Sequence, residues 1–111
     1  METISFEDFK KVEIAVGEIQ TVEKIEGSEK LLRLMVNFAE SEPRQIISGI
    51  SKYYSDPSLL VGKKCMFVLN LEPRTIFGFE SKGMLLAVST EDGLFSILEP
   101  NGSIPAGTRA K

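Results

Sequence analysis

Alternation of apolar and polar positions, not helical periodicity, dominates this chain, the pattern expected of half-buried strands. In Val12-Glu13-Ile14-Ala15-Val16 the apolar residues fall on even positions, and after Gly17 they shift to Ile19, which predicts a first strand bulged or bent at the glycine. Leu32, Leu34, Val36 and Phe38 repeat the even pattern while Arg33, Met35 and Asn37 face the other way, giving a second strand with a partly polar outer face. Turn residues fill Ala39 to Arg44, and Gln45 to Ile50 resumes as a third strand, so the two strands form a hairpin. The stretch from Ser51 to Gly62 breaks the alternation, and its Asp56-Pro57 start and Gly62 stop predict a short helix or helical turn. Cys65 to Leu69 and Met84 to Val88 read as buried strands separated by a long loop over Glu72 to Gly78. A turn at Glu91-Asp92-Gly93 leads into a strand from Leu94 to Leu98, followed by an irregular tail carrying Pro100, Pro105 and Gly107.

Strand, hairpin, short helix, then two more strands is the order of a five-stranded OB barrel. The expected fold class is therefore all-β: a five-stranded OB-fold barrel with one short helix between strands 3 and 4 and extra C-terminal strands beyond the barrel. An SH3-like barrel is the main rival. With 111 residues, 42% hydrophobic and 26% charged, the chain reads as one globular domain spanning residues 1–111. There is no histidine and a single cysteine, Cys65, which excludes a Ser-His-Asp or Cys-His catalytic unit, a histidine-ligated zinc site and an internal disulfide. Glu7-Asp8, Glu40 with Glu42, and Glu91-Asp92 fall in loops or turns, so no carboxylate pair is set in an apolar pocket for acid–base work. A non-catalytic protein without cofactor or metal is expected. No apolar run approaches the ~20 residues that cross a bilayer, and the start METISFEDFKK is too acidic for a signal peptide, so a cytoplasmic location fits best.

The net charge of -3 argues against a molecule coated in basic groups. That total hides a gradient, because residues 30–88 carry eight basic and five acidic groups whereas residues 1–29 carry three and eight. Three stretches concentrate candidate chemistry. Lys30 and Arg33 lie at the entry of the second strand, where phosphate contact competes with ordinary solvated surface charge. Arg44 can bond a phosphate bidentately, with Ser48 and Gly49 allowing close backbone approach, although a hairpin turn entering a core strand accounts for the same residues. The richest stretch runs from Asn70 to Met84. It offers Arg74 and Lys82 for phosphates, Phe77 or Phe79 for stacking on an unpaired base, and Asn70 or Ser81 for base edges or ribose hydroxyls. The phenylalanines could equally cap the barrel mouth or fill a subunit contact.

Asp8-Phe9-Lys10-Lys11-Val12-Glu13-Ile14, Glu26-Gly27-Ser28-Glu29-Lys30-Leu31-Leu32-Arg33-Leu34, Arg44-Gln45-Ile46-Ile47-Ser48-Gly49-Ile50, Leu60-Val61-Gly62-Lys63-Lys64, Asn70-Leu71-Glu72-Pro73-Arg74 and Ser81-Lys82-Gly83-Met84-Leu85-Leu86-Ala87 together resemble the OB-fold tRNA-binding domain. That domain occurs at the C-terminus of bacterial methionyl-tRNA synthetases, in their separate beta subunits and in free-standing tRNA-binding proteins. The resemblance implies binding of tRNA largely by shape, no catalysis by the domain itself, possible association with a methionyl-tRNA synthetase catalytic chain, and a homodimer. The dimer contact would draw on Ile4, Phe6 and Phe9 together with the C-terminal strand and tail. Carried over position by position, the implied tRNA-binding residues are Lys30, Arg33, Arg44, Ser48, Asn70, Arg74, Ser81 and Met84. Ala15, Glu18, Thr75 and Phe77 stand where relatives commonly carry other residues, several of them cations, which implies fewer phosphate contacts. One branch of the family resembles an export-related chaperone with an apolar pocket on the equivalent face, so peptide binding is the competing expectation.

Overall fold

A computed structural model describes residues 1–111. Its strands are β1 (Ile14–Lys24), β2 (Leu32–Asn37), β3 (Arg44–Ser48), β4 (Lys64–Val68), β5 (Arg74–Ile76), β6 (Phe79–Ser81), β7 (Met84–Leu85), β8 (Ala87–Ser89) and β9 (Phe95–Ile97). The first four and β7 form an antiparallel sheet in the order β3-β2-β1-β4-β7. The sheet curls until its edges nearly meet: the Lys82 N–H donates to the Gln45 carbonyl at 2.9 Å and the Ile47 N–H to Ser81 Oγ at 3.0 Å. This is the five-stranded barrel that the sequence predicts, with β8 and β9 as the additional C-terminal hairpin.

The barrel is filled by Ile19, Leu32, Leu34, Val36, Phe38, Ile46, Phe67 and their neighbours, and Phe38 meets Phe67 edge to face at 5.1 Å. The even pattern of β2 points inward as expected. In β1 the phase before Gly17 is the reverse of the prediction, while Ile19 faces inward as the shift after the glycine implies. Ala15 and Ile19 face the core, and Val16, also buried, exchanges backbone hydrogen bonds with Gly107 and Thr108 of the C-terminal tail, which runs alongside the strand. Both faces of this strand are covered, so alternation there could not reveal which one is inner. The bulge falls between Ile19 and Thr21, not at Gly17. Gly17 serves close approach instead, because a Cβ there would sit 2.5 Å from Phe38 Cε1 and 2.6 Å from Val36 Cγ1.

Three more elements differ from expectation. The anticipated short helix is a pair of 3-10 turns, Ser51–Tyr53 and Pro57–Leu60, the second capped by Asp56 and buried through Leu60. The strand expected from Met84 to Val88 breaks at Leu86, where β7 leaves β4 and β8 turns away to pair with β9. Tyr53 stacks on Phe95 with centroids 4.0 Å apart, fastening that hairpin to the first 3-10 turn. A one-turn helix, α1 (Phe6–Phe9), is capped by Ser5 Oγ and is too short to leave a periodic signature. No helix is long and apolar enough to cross a membrane.

The stretch expected as a loop over Glu72 to Gly78 contains the β5–β6 hairpin, in which Arg74 pairs with Ser81, Thr75 with Glu80 and Ile76 with Phe79. Its two-residue turn is Phe77-Gly78, with φ of 54° and 86°. Positive φ at both central positions is the signature of a primed hairpin turn, normally written Asn-Gly or Asp-Gly. A phenylalanine there hides the signal.

Candidate nucleic-acid interface

Odd-numbered residues of β2 and β3 point out of the barrel, and the β5–β6 hairpin folds over this outer face. Arg33 is fixed at its centre: its Nε donates to Gln45 Oε1 at 2.7 Å, its Nη1 to Glu23 Oε1 at 3.4 Å, and its guanidinium lies 5.6 Å from the centroid of the Phe79 ring. Gln45 in turn donates from Nε2 to the Glu80 carbonyl at 2.8 Å, so the hairpin and the barrel wall share one hydrogen-bonded seam. Beside the seam is a shallow cleft of ≈ 70 Å³ lined by Ile47, Leu71, Arg74, Ile76, Ser81 and Met84. Arg74 is exposed and makes no ion pair, and Met84 is 45% exposed. Lys30, exposed and unpaired, projects from the β1–β2 loop. The tip of the hairpin touches that loop, since a Cβ placed on Gly27 would lie 3.5 Å from Phe77 Cε2.

The site residues expected from sequence therefore divide. Lys30, Arg33, Arg74, Ser81 and Met84 gather around the hairpin and its adjoining loop. Within that group Ser81 is buried and occupied, accepting from the Ile47 N–H and donating to the Gly83 carbonyl at 3.2 Å. Arg44 is engaged internally. It forms a bidentate pair with Glu40, both contacts at 2.8 Å, and donates to the Leu69 and Lys82 carbonyls at 2.8 and 3.1 Å. The hydrogen bond from Arg44 holds the Glu40 carboxyl below its ordinary pKa, and the same contact raises that of Arg44. Asn70 clamps the N-terminal segment, accepting from the Glu13 N–H at 2.9 Å and donating to the Lys11 carbonyl. Ser48 shares the inner face of β3 with Ile46, opposite to Ile47, and lies apart from the cleft.

The positive character of this face is thin. Arg33 is paired with Glu23, and Lys82 with Glu80 at 3.6 Å. The Lys82 pair is exposed and the Arg33 pair is half-buried on the arginine side only, with Glu23 open to solvent; surface pairs of this kind contribute about 0–1 kcal/mol, so an arriving phosphate can replace the carboxylate. Gln45, Ile47 and Ile76 belong to the site although sequence reasoning did not single them out. The outward phase of Gln45 and Ile47 on β3 was the available signal. Phe77 occupies left-handed backbone that costs a bulky side chain on the order of 1–2 kcal/mol, and it is 56% exposed.

The fold is an OB barrel, and the candidate residues gather at the loops after its first and fourth strands, where such barrels commonly carry binding groups. The chain belongs to the tRNA-binding domain family, as a profile described as "Putative tRNA binding domain" matches residues 14–109. It is 45% identical over 106 residues to a methionine–tRNA ligase of Lactococcus lactis and 47% identical over 106 residues to that of Caldanaerobacter subterraneus. These alignments cover 95% and 96% of this chain but only 16% of either ligase, so the chain spans about a sixth of the length of these relatives. Among solved structures it is similar to a methionyl-tRNA synthetase related protein from Pyrococcus horikoshii, with a TM-score of 0.91, 38% identity and full coverage of both chains. It is also similar to the chaperone CsaA from Bacillus anthracis, with a TM-score of 0.86 and 29% identity over 99% of this chain and 100% of that one.

Proposed function

We propose that this chain is a non-catalytic tRNA-binding module that raises the local concentration of tRNA, as the C-terminal domain or beta subunit of a methionyl-tRNA synthetase or as its free-standing relative. The observation that carries the reading is the outer face on which Arg33, Arg74 and Lys30 converge around one hairpin and one loop. Arg33 is pre-set by Gln45 and Phe79, so little side-chain entropy is lost when it meets a phosphate. With few free cations, binding is weak and salt-sensitive, and recognition rests on the shape of the RNA rather than on a code of base contacts. Fluorescence anisotropy with labelled tRNA at low salt tests this. Saturable binding that weakens as salt rises supports it, and no binding at low salt contradicts it.

The proposal includes a homodimer. Ile4, Phe6 and Phe9 are 69%, 70% and 44% exposed, and Phe6, Phe9, Val12 and Ile14 line a cavity of ≈ 420 Å³ with Ala110 and Lys111. This is more apolar surface than one end of a small monomer ordinarily leaves to water, and a two-fold contact would cover it. Dimerisation also sets two RNA faces on one particle, which raises avidity where a single tRNA spans both.

A second reading, a peptide-binding chaperone, is favoured by the apolar lining of the cleft, where Ile47, Leu71, Ile76 and Met84 surround Arg74, and by the likeness to a structure titled a chaperone. The cleft of ≈ 70 Å³ is too small for more than one side chain, whereas pockets for drug-sized ligands run to about 300–1,000 Å³. Titration with unfolded apolar peptide in the presence of excess tRNA separates the readings: competition places both ligands on this face, and peptide binding without any tRNA binding favours the chaperone.

A further inference from the structure

The aromatic residues of this chain are nearly all accounted for. Phe38 and Phe67 fill the core, Tyr53, Tyr54 and Phe95 pack together, Phe79 lies beneath Arg33, and Phe6 and Phe9 line the N-terminal cavity. Phe77 is the exception. The residue is 56% exposed at the tip of the β5–β6 hairpin, with one edge of its ring facing Gly27. Its backbone is held at a φ of 54°, where asparagine or glycine would make the same turn without strain. Neither packing nor turn chemistry explains a phenylalanine at this position. An exposed bulky side chain kept in strained backbone points to a ligand.

We propose that Phe77 is a base-stacking residue: its ring receives an unpaired nucleotide of the bound RNA, so the module grips a single-stranded end or loop and not a helical arm alone. This rests on the tRNA-binding reading and deepens it. The ring stands where the β1–β2 loop meets the β5–β6 hairpin, with unpaired Lys30 in the first and unpaired Arg74 at the base of the second. Unpaired cations in the two elements that meet at an exposed aromatic residue are the combination that single-strand binders use, in which phosphates follow the charges and a base lies on the ring. Stacking tolerates every base, so it adds affinity without a sequence preference. Phe79 cannot take this role while Arg33 covers it. The same ring supplies grip on a face poor in free cations, and it makes that share of the affinity insensitive to salt.

The test uses the intact chain and two variants. Phe77→Asn keeps the turn and relieves the backbone while removing the ring. It is expected to weaken tRNA binding by about fivefold or more, the least that base–aromatic stacking contributes by side-chain truncation, with a thermal midpoint equal to or above wild type. Because the chain has no tryptophan, Phe77→Trp places the sole indole at the tip as a reporter. Its emission is expected to be quenched by tRNA and by a short single-stranded oligoribonucleotide, and left unchanged by a blunt RNA duplex. A loss below about fivefold, a lowered midpoint in Phe77→Asn, equal quenching by the blunt duplex, or a response only to unfolded peptide would each overturn the proposal. If wild type binds tRNA and these results appear, stacking alone is wrong. If wild type binds no tRNA, the functional reading beneath it falls too.

Discussion

Arg44 looked like a phosphate ligand from its sequence surroundings, yet its guanidinium holds Glu40 and two backbone carbonyls across the barrel seam. Arg44→Ala is therefore expected to destabilise the fold by about 2 kcal/mol, the range for charged hydrogen bonds lost with a partner left behind. Urea unfolding would register this as a lower midpoint, and Arg44→Lys, which lacks the planar fork, should restore little of it. The pair also gives acid sensitivity a definite sign. Glu40 is depressed below 4.5 in the folded chain, so it contributes stability above that value and loses it as pH falls through the lowered pKa. Glu40→Gln should flatten this part of the stability profile, and identical profiles would count against the pair. Cys65 sits in the core with its thiol pushed up to about 12 by burial. A thiol reagent at pH 8 should modify it only as fast as the barrel opens. The burial of Cys65 follows from the apolar strand the sequence shows, whereas the pairing of Arg44 with Glu40 was not legible, because a type of residue shows its chemistry but not which partner has already used it.

At the scale of elements, the alternation of β2 reported both faces correctly, since one side is packed and the other partly open, whereas β3 buries the consecutive Ile46 and Ile47 and carries no such pattern. Alternation misled in the first part of β1, where Val16 on the outer side is buried as fully as Ala15 on the inner one, and the C-terminal tail pairs alongside through Arg109. It was silent on the β5–β6 hairpin, whose strands have three residues each and whose turn carries Phe77 instead of asparagine. That hairpin brings Arg74, Met84 and Arg33 to one face, whereas Arg44, Asn70 and Ser48 of the same expected set are held elsewhere, so the sequence showed candidate residue types but not their grouping. Gly17 gives a check on the packing. Gly17→Ala should cost about 1–3 kcal/mol by overpacking, because Phe38 and Val36 already fill the space of a Cβ. A midpoint unchanged in thermal unfolding would mean that β1 and the Phe38 ring are farther apart than described.

For the whole molecule, a net charge of -3 does not exclude a few free cations on one face, because screening confines each charge to about 8 Å at physiological salt. The acidic groups of residues 1–29 were the sequence's warning, and four of them pair with cations: Glu7 with Lys10 and Asp8 with Lys11 within the N-terminal segment, Glu13 with Arg109, and Glu23 with Arg33 on the candidate face. The proposed dimer would cover the exposed N-terminal phenylalanines and the cavity beside the C-terminus; on that proposal wild type sediments as a dimer and Phe6→Ser with Phe9→Ser yields monomers in sedimentation equilibrium. Asn70 ties the segment bearing them to the loop that leads to the hairpin, so Asn70→Ala should weaken the dimer without touching the hairpin itself. The most direct measurement is the affinity for tRNA across a salt series, for wild type beside the double variant Lys30→Ala, Arg74→Ala. Each lost phosphate contact should flatten the dependence of log K on log salt by about 0.7–0.9, so the variant should bind more weakly with a slope shallower by about 1.4–1.8. An unchanged slope and affinity would place the RNA elsewhere on the barrel and contradict the account.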